Sequence, residues 1–296
     1  MYFGSVRFFK HVILIALLMI LVAPSIAAGS FYTELQRLEQ ELHGSGSVDE
    51  NSSGIILSYG HLIHNDDLEY KKMYPNLYVK QQKPFKDPEE KVLYLTFDDG
   101  PSAVTEKVLD RLKEMGVKAT FFVVYKEGTD AELILKRIVE EGHGIGVHSG
   151  SHQYEKIYSS VESFLDDFNL VSQWIEDVTG VKPDIFRFPG GSLSPHNQRI
   201  STPLIAEMMR RGYVYYDWNI SAEDASNKVS TRLIVNSIHQ GIADKKRGFI
   251  LAHDGPQNHY IIDALPEVIQ NAEEMGYIFK KIESTIQPIQ FKNYYQ

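Results

Sequence analysis

Two adjacent carboxylates end the first long apolar run of the sequence. Asp98 and Asp99 follow Val92–Phe97 and directly precede Gly100-Pro101. Neighbouring residues of a strand point to opposite sides, but where the chain turns both can reach one site. Two like charges held together repel each other unless a cation or a proton neutralises one of them. Taken alone, the pair fits a metal or proton site and a solvated Asp-Gly-Pro turn equally well.

Two histidines four positions apart follow the third apolar run. His148 and His152 enclose only Ser and Gly residues, and a tight turn would let both imidazoles converge. Residues at this spacing can share a metal ion, although a pair of surface histidines is the alternative. Joined to one carboxylate of the Asp pair, they form a facial triad with open positions. A hydrolytic metal needs such positions for water and substrate.

Two more strand ends carry polar groups. Arg187 ends the fourth apolar run, where its guanidinium can pair with a carboxylate through two hydrogen bonds. Gly190 and Gly191 follow it and let backbone N–H groups approach a ligand closely. His253 ends a later run, Gly248–Ala252, and is a candidate proton donor. A structural Arg and a structural His are the alternatives when each residue is taken alone.

Strands and helices alternate from residue 91 onward and would position these residues. Apolar runs of strand length lie at Val92–Phe97, Thr120–Val124, Gly144–Val147, Ile185–Arg187, Tyr213–Asp217, Gly248–Ala252 and Tyr277–Phe279. Between them, apolar residues recur at helical spacing. These helical segments tend to end at glycines, namely Gly116, Gly142, Gly180, Gly212, Gly241 and Gly276.

This alternation predicts an α/β fold with a parallel sheet and helical crossovers. Seven such units suit a deformed (β/α) barrel of TIM type with about seven parallel strands. An open doubly wound sheet would give the same linear pattern. In both architectures the functional site lies at the carboxyl ends of the strands.

The composition excludes several kinds of partner and site. The chain has 296 residues and a net charge of −9, and no run of Lys or Arg stands out. A phosphate backbone would be repelled, so we do not expect nucleic acid as a partner. Cysteine is absent, which excludes disulfides, thiolate metal sites and a cysteine nucleophile. Any metal must therefore be held by His, Asp or Glu.

The N-terminal segment predicts export. Arg7 and Lys10 form a short basic region before the apolar run Val12–Ala23. Pro24 ends this run, and residues 25–28 offer small side chains of the kind that signal peptidase accepts. We expect residues 1–28 to be a signal peptide or an uncleaved signal anchor. The chain would then work outside the cytoplasmic membrane, secreted or anchored to its outer face. It would meet the membrane only through this segment.

The rest of the chain divides at about residue 90. Residues 29–90 are rich in Gly, Ser, Asp and Asn in part and show little periodicity, so we expect an N-terminal stalk or linker. Residues 91–285 are expected to form the domain that carries the chemistry.

In their order along the chain, the motifs resemble those of the NodB-homology polysaccharide deacetylases, carbohydrate esterase family 4. The resemblance covers Lys91 to Ile282. The family pattern has an FDDGP-type motif, an H[ST]xxH motif, an RxPxG motif, a later acidic motif and an LxH motif. The matching residues are Phe97–Pro101, His148–His152, Arg187–Gly191, Asp224 and Leu251–His253. Each motif is weak alone, but the ordered combination is specific.

The resemblance implies a metal site. Asp99, His148 and His152 would bind a divalent ion, usually zinc, with cobalt, nickel, manganese or iron as other options. Ser149 replaces the commoner Thr, and its hydroxyl can keep the same role.

The resemblance also implies an acid and a base. Asp98 would be the general base, oriented by Arg187. His253 would be the general acid, packed near Leu251 and supported by Asp224.

Two departures from the family pattern concern the walls of the sugar pocket. Gly190 stands where the family usually has Tyr, and Ala225 stands where it usually has Trp. The backbone N–H of Gly190 can still contribute to an oxyanion hole, as the family's Tyr position does. Trp218 is a candidate to replace the missing rings in part. These departures concern the choice of substrate rather than the catalytic residues.

The implied reaction is metal-assisted hydrolysis of an amide. It would remove N-acetyl groups from a cell-envelope polysaccharide of N-acetylglucosamine type, such as peptidoglycan. The same site could instead act on N-acetylmuramic acid or remove O-acetyl groups from a xylan-like polymer. A catalytically inactive wall-glycan-binding module is the third alternative, and the intact set of Asp and His residues argues against it.

Overall fold

The structure is a computed structural model that describes residues 68–80, 85–86 and 91–291, all within the unit Asn65–Gln296. The predicted signal segment 1–28 lies outside the described residues, as does most of 29–90, and both assignments stay predictions. None of the helices in the described ranges combines the length and the apolar character that crossing a membrane requires.

Strands and helices alternate through the described part of the chain. The strands are β1 Val92–Asp98, β2 Thr120–Val124, β3 Gly144–Ser149, β4 Ile185–Phe186, β5 Val214–Tyr215, β6 Ile220–Ser221, β7 Arg247–His253 and β8 Ile278–Phe279. The helices are α1 Glu69–Lys72, α2 Ala103–Met115, α3 Thr129–Glu140, α4 Tyr154–Ile157, α5 Val161–Thr179, α6 Ser201–Arg210, α7 Thr231–Ile242 and α8 Tyr260–Glu274.

All strand pairs are parallel and belong to one sheet. Seven strands follow the order β5-β4-β3-β2-β1-β7-β6, and β8 pairs with the first residues of β1. The sheet curls into a half-barrel, which confirms the predicted deformed (β/α) barrel with about seven parallel strands. The open doubly wound alternative is therefore wrong.

The central strand β1 is a continuous apolar run in the sequence, and its burial explains why. All seven residues of β1 are buried, because helices cover one face and the barrel interior lies on the other. Leu93, Leu95 and Phe97 belong to the core under the helices, whereas Tyr94 belongs to the interior cluster. Since side chains alternate along a strand, Asp98 lies on the same face as Tyr94 and faces the interior.

Two sequence-based expectations differ from the structure. The two-residue strand β6 was not predicted, because it is too short to show a periodic pattern. Gly241 does not end its helix, since α7 continues to Ile242. A Cβ at Gly241 would stand 2.6 Å from Cγ2 of Ile220, so this glycine allows α7 to pack closely on β6.

The segment 68–80 packs against α6 through a buried arginine. Arg211 is fully buried and its Nε donates to the carboxylate of Glu207 at 2.7 Å. Its other nitrogens donate to four main-chain carbonyl oxygens, those of Tyr70, Met73, Tyr74 and Leu77. This part of the chain therefore belongs to the same packed body as the sheet.

Candidate active site

The polar residues predicted from strand ends come together at one edge of the sheet. Asp98 ends β1 and Asp99 follows it, His148 lies in β3, Arg187 follows β4 and His253 ends β7. These strands are neighbours or near neighbours in a parallel sheet, so their carboxyl ends share one edge. The result is a cluster of acidic, imidazole and guanidinium groups at the mouth of the half-barrel.

Asp99, His148 and His152 could hold a metal ion. The Oδ1 of Asp99 lies 3.6 Å from Nε2 of His148 and 3.3 Å from Nε2 of His152. This oxygen is buried and has no hydrogen-bond partner among the described residues. Two imidazole nitrogens and a carboxylate oxygen are a donor set that suits zinc and other first-row divalent ions. The residues present therefore fit a divalent metal.

The environment of His148 prepares it to act as a ligand. Its Nδ1 lies 2.9 Å from the carbonyl oxygen of Arg187, which fixes the tautomer and leaves Nε2 facing Asp99. Burial lowers the pKa of His148, and this favours the neutral imidazole that a metal requires.

Two of the three candidate ligands lie on strained backbone. Asp99 has a φ of 77° and His152 a φ of 53°, both in the left-handed region that non-glycine residues avoid. Such a conformation costs on the order of 1–2 kcal/mol per residue. The surrounding structure must therefore hold both residues in place.

The turn that carries His152 is held by Asp167 of α5. The Oδ1 of Asp167 accepts from the backbone N and the Oγ of Ser151, both at 2.8 Å. Its Oδ2 accepts from the N of Gly150 at 2.6 Å and from Oγ of Ser149 at 2.7 Å. The Ser149 hydroxyl in turn accepts from the backbone N of His152 at 2.9 Å. Asp167 thus orders the whole turn between the two histidines.

Replacing Asp167 by Ala is expected to weaken zinc binding by about 10- to 100-fold, the usual effect of losing a group that orients metal ligands. Competition titration against a chromophoric chelator measures this affinity. Asp166 is the matched control, because its carboxylate bonds to the hydroxyl of Tyr74 instead. Equal zinc affinity in the Asp167→Ala and Asp166→Ala variants would remove Asp167 from this role.

Asp98 is held by a fully buried arginine. Nη1 of Arg187 donates to Oδ1 of Asp98 at 2.9 Å and to Oγ1 of Thr96 at 2.6 Å. Its Nε donates to the carbonyl oxygen of Tyr216 and its Nη2 to that of Asp217. The guanidinium is thereby fixed on three sides, and Oδ2 of Asp98 is left free of it.

His253 lies beside Asp98 and is paired with Asp224. Asp98 and His253 are register partners in β1 and β7, and Leu251 lies on the same face of β7 as His253. Nδ1 of His253 is 2.8 Å from Oδ1 of Asp224, and its backbone N donates to Oδ2. Burial lowers the pKa of His253. The bond to Asp224 and the nearby negative charges outweigh this effect and raise it to about 9.

Sequence reasoning missed the carboxylate that follows His253. Asp254 is buried and its Oδ1 accepts from the N of Gly100, while Oδ2 accepts from Oγ1 of Thr105. Its carbonyl oxygen accepts from Oγ of Ser102. Burial raises the pKa of Asp254 to about 7, against the opposing effect of the Thr105 and Gly100 bonds. Its position next to a strand-end histidine was the one signal that could have identified it.

The glycine turn after β4 lies close to two aromatic groups. Gly190 has a φ of 74° and Gly191 a φ of 83°. A Cβ at Gly190 would stand 3.5 Å from the hydroxyl of Tyr154, and one at Gly191 would stand 3.1 Å from Cη2 of Trp218. Trp218 therefore lies against this turn at Gly191.

The chain is similar to known polysaccharide deacetylases. The family model described as polysaccharide deacetylase matches residues 85–207. The putative polysaccharide deacetylase YheN of Bacillus subtilis is 33% identical over 76% of this chain and 78% of its own length. A peptidoglycan-N-acetylglucosamine deacetylase of Bacillus cereus is 32% identical over 66% of this chain and 71% of its own.

A solved structure is also similar. The catalytic domain of the peptidoglycan N-acetylglucosamine deacetylase from Eubacterium rectale superposes with a TM-score of 0.67 at 32% sequence identity. The match covers 73% of this chain and 98% of that domain.

Proposed function

The chain belongs to the polysaccharide deacetylase family, the NodB-homology group of carbohydrate esterase family 4, and from that premise we propose its reaction. It removes N-acetyl groups from a cell-envelope polysaccharide of N-acetylglucosamine type, outside the cytoplasmic membrane. The observation that carries the proposal is the register pair of Asp98 and His253 beside the Asp99–His148–His152 cluster.

The proposed metal ligands are Asp99, His148 and His152, and zinc is the proposed ion. The buried Oδ1 of Asp99, which has no hydrogen-bond partner among the described residues, and the Nε2 of His148 that faces it support this assignment. A divalent ion bound there would supply Lewis-acid chemistry, polarising the acetyl carbonyl group and lowering the pKa of water.

The proposed general base is Asp98, acting through Oδ2. Arg187 occupies Oδ1 and keeps the carboxylate oriented, because the guanidinium is itself held by several hydrogen bonds. Oδ2 lies 4.0 Å from Nε2 of His148 and so faces the metal ligands. From there it takes a proton from the water that attacks the acetyl carbon.

The proposed general acid is His253, acting through Nε2. Because Asp224 engages Nδ1 and raises the pKa of His253 to about 9, the imidazolium persists at neutral pH. Nε2 donates its proton to the sugar nitrogen as the carbon–nitrogen bond breaks, giving the free amine and acetate. The N–H of Gly190 is the proposed donor to the negatively charged oxygen that forms from the acetyl carbonyl when water attacks its carbon.

The proposed substrate and location have two independent lines of support. Similar proteins are named peptidoglycan-N-acetylglucosamine deacetylases, and peptidoglycan lies outside the cytoplasmic membrane. The N-terminal sequence separately predicts export of this chain. An acetylated wall polysaccharide is accordingly the proposed partner.

Acetate release by the purified full-length chain tests the proposal. We expect release from N-acetylglucosamine oligomers and purified peptidoglycan, its loss with a chelator and its recovery with added zinc. Mass spectrometry of digested peptidoglycan then identifies whether glucosamine or muramic acid has lost its acetyl group. Release from acetylated xylan alone would establish an O-acetyl esterase. No release from any acetylated glycan despite bound zinc would establish an inactive binding module.

A further inference from the structure

Two aromatic rings from distant parts of the chain cover Gly191. The ring centroids of Trp218 and Phe291 are 4.9 Å apart with planes at 74°. A Cβ at Gly191 would stand 3.1 Å from the Trp218 ring and 3.3 Å from the Phe291 ring. Phe291 remains 40% exposed and Trp218 is half-buried, so both keep apolar surface open to solvent.

Phe291 is the last residue of the segment Ile282–Phe291, here termed the C-terminal strap, which positions it beside Trp218. Ile282, Ile286 and Ile289 of the strap pack into the aromatic cluster of the barrel interior. The strap therefore runs along the concave face of the sheet, and its end is held there by apolar contacts.

Asp217 ties the strap to the glycine turn. This buried carboxylate accepts from the backbone N of Phe291 at 2.7 Å and, through the same oxygen, from Oγ of Ser192 at 2.6 Å. Its other oxygen accepts from the N of Ser192, and its own N donates to the carbonyl oxygen of Ile289. Phe291 is thus anchored to the turn that carries Gly190.

A second aromatic pair lies near the same turn. Tyr154 and His196 stack with centroids 4.7 Å apart and planes at 19°. A Cβ at Gly190 would stand 3.1 Å from Oγ of Ser194 and 3.5 Å from the hydroxyl of Tyr154. Both aromatic pairs therefore adjoin the glycine turn, and the second pair reaches the candidate metal ligands, since the Tyr154 ring is 5.3 Å from that of His152.

A ligand bound against the Trp218 and Phe291 rings must combine apolar faces with polar edges. The Trp218 ring lies 5.8 Å from the guanidinium carbon of Arg187, so an apolar surface adjoins a strongly polar site. Pyranose rings present C–H groups on their faces and hydroxyl groups on their edges. Aromatic side chains beside a few placed polar groups are the usual lining of a site for such a ligand.

We infer that Trp218 and Phe291 form a binding subsite for the sugar unit adjacent to the one that is deacetylated. The inference rests on the proposed function and makes Phe291 a specificity-determining residue for chain length. Covering one ring face removes on the order of 50 Å² of apolar surface from water, equivalent to about tenfold in a dissociation constant.

Steady-state kinetics with N-acetylglucosamine oligomers of two lengths test the subsite. Replacing Phe291 by Ala should raise KM for the pentamer about tenfold, with little change in kcat and little effect on the monomer. Phe291→Tyr keeps the ring and should restore the wild-type KM. Leu133→Ala on α3 is the matched control for loss of an exposed apolar side chain. Equal effects of Phe291→Ala on both lengths, or none, would overturn the inference.

Binding without turnover separates this inference from the proposed function. The chain has two tryptophans, so Trp174→Phe leaves Trp218 as the single indole reporter. With chelator present, the pentamer should change Trp218 fluorescence saturably, and adding Phe291→Ala should weaken the apparent affinity about tenfold. Trp218 fluorescence that does not change when the pentamer is added would overturn the proposed subsite. If the wild-type chain releases no acetate, the proposed function fails and the titration alone decides the subsite.

Discussion

Replacing Asp98 by Asn is expected to lower kcat on N-acetylglucosamine oligomers by about 10³-fold or more while zinc stays bound. The amide has nearly the shape of the carboxylate and can keep an oxygen toward Nη1 of Arg187. It cannot accept the proton of the attacking water, which is the step assigned to Oδ2. The residues that form the candidate metal cluster are untouched, so metal content should stay near that of the wild type.

Asp99→Asn is the matched control, since the two residues are neighbours with the same chemistry. Asp99 lies in the metal cluster, so its replacement should lower zinc affinity, and excess zinc should restore part of the activity. Zinc content by elemental analysis and acetate release at rising zinc concentrations distinguish the variants. An Asp98→Asn enzyme with zinc bound and more than about a tenth of wild-type kcat would exclude Asp98 as the base.

Replacing Gly100 by Ala is expected to destabilise the protein and the metal site together. An added Cβ would stand 2.7 Å from Oδ1 of Asp254 and 2.7 Å from Oγ1 of Thr105, both closely packed. Either the turn moves or the buried Asp254 carboxylate loses its bond from the Gly100 N. Such a clash costs about 2–4 kcal/mol, and the displaced turn carries Asp99.

Denaturant unfolding and zinc titration measure these two effects in the same variant. Gly116→Ala is the control, because Gly116 has a positive φ of 69° but open space around its Cβ position. It should cost about 1 kcal/mol from backbone strain and leave zinc affinity unchanged. A Gly100→Ala protein as stable as Gly116→Ala, with wild-type zinc affinity, would contradict the proposed role of the Asp254 contact.

The parts of the fold that could be predicted are those that produce a local pattern of apolar and polar residues. β1 is buried on both faces, so it appears as an unbroken apolar run with Asp98 at its end. Residues that end neighbouring parallel strands share one edge, and this rule alone brought His148 and His253 to the same predicted site. Two-residue strands such as β6 carry no such pattern and were not found.

The supporting residues could not be predicted, because their partners are distant in the chain. Asp167 stands in the middle of an amphipathic helix, and nothing around it in the sequence indicates the turn that it holds. Phe291 follows the last strand at a position without periodic signal, and its neighbour Trp218 comes from another element. Tertiary contacts bring these groups to the site, through the bonds of Asp167 to the turn and of Asp217 to Phe291.

The strand order also has a consequence for how the molecule folds. The three candidate metal ligands are Asp99 directly after β1, His148 in β3 and His152 in the turn after β3, and they are close in sequence. Gly100 and Asp254, in contrast, are 154 residues apart, and their contact forms only when β7 pairs with β1. Closing so long a loop costs conformational entropy before the new contacts can stabilise it. The candidate metal ligands can therefore come together before the pairing of β1 with β7 brings the proposed acid His253 beside Asp98.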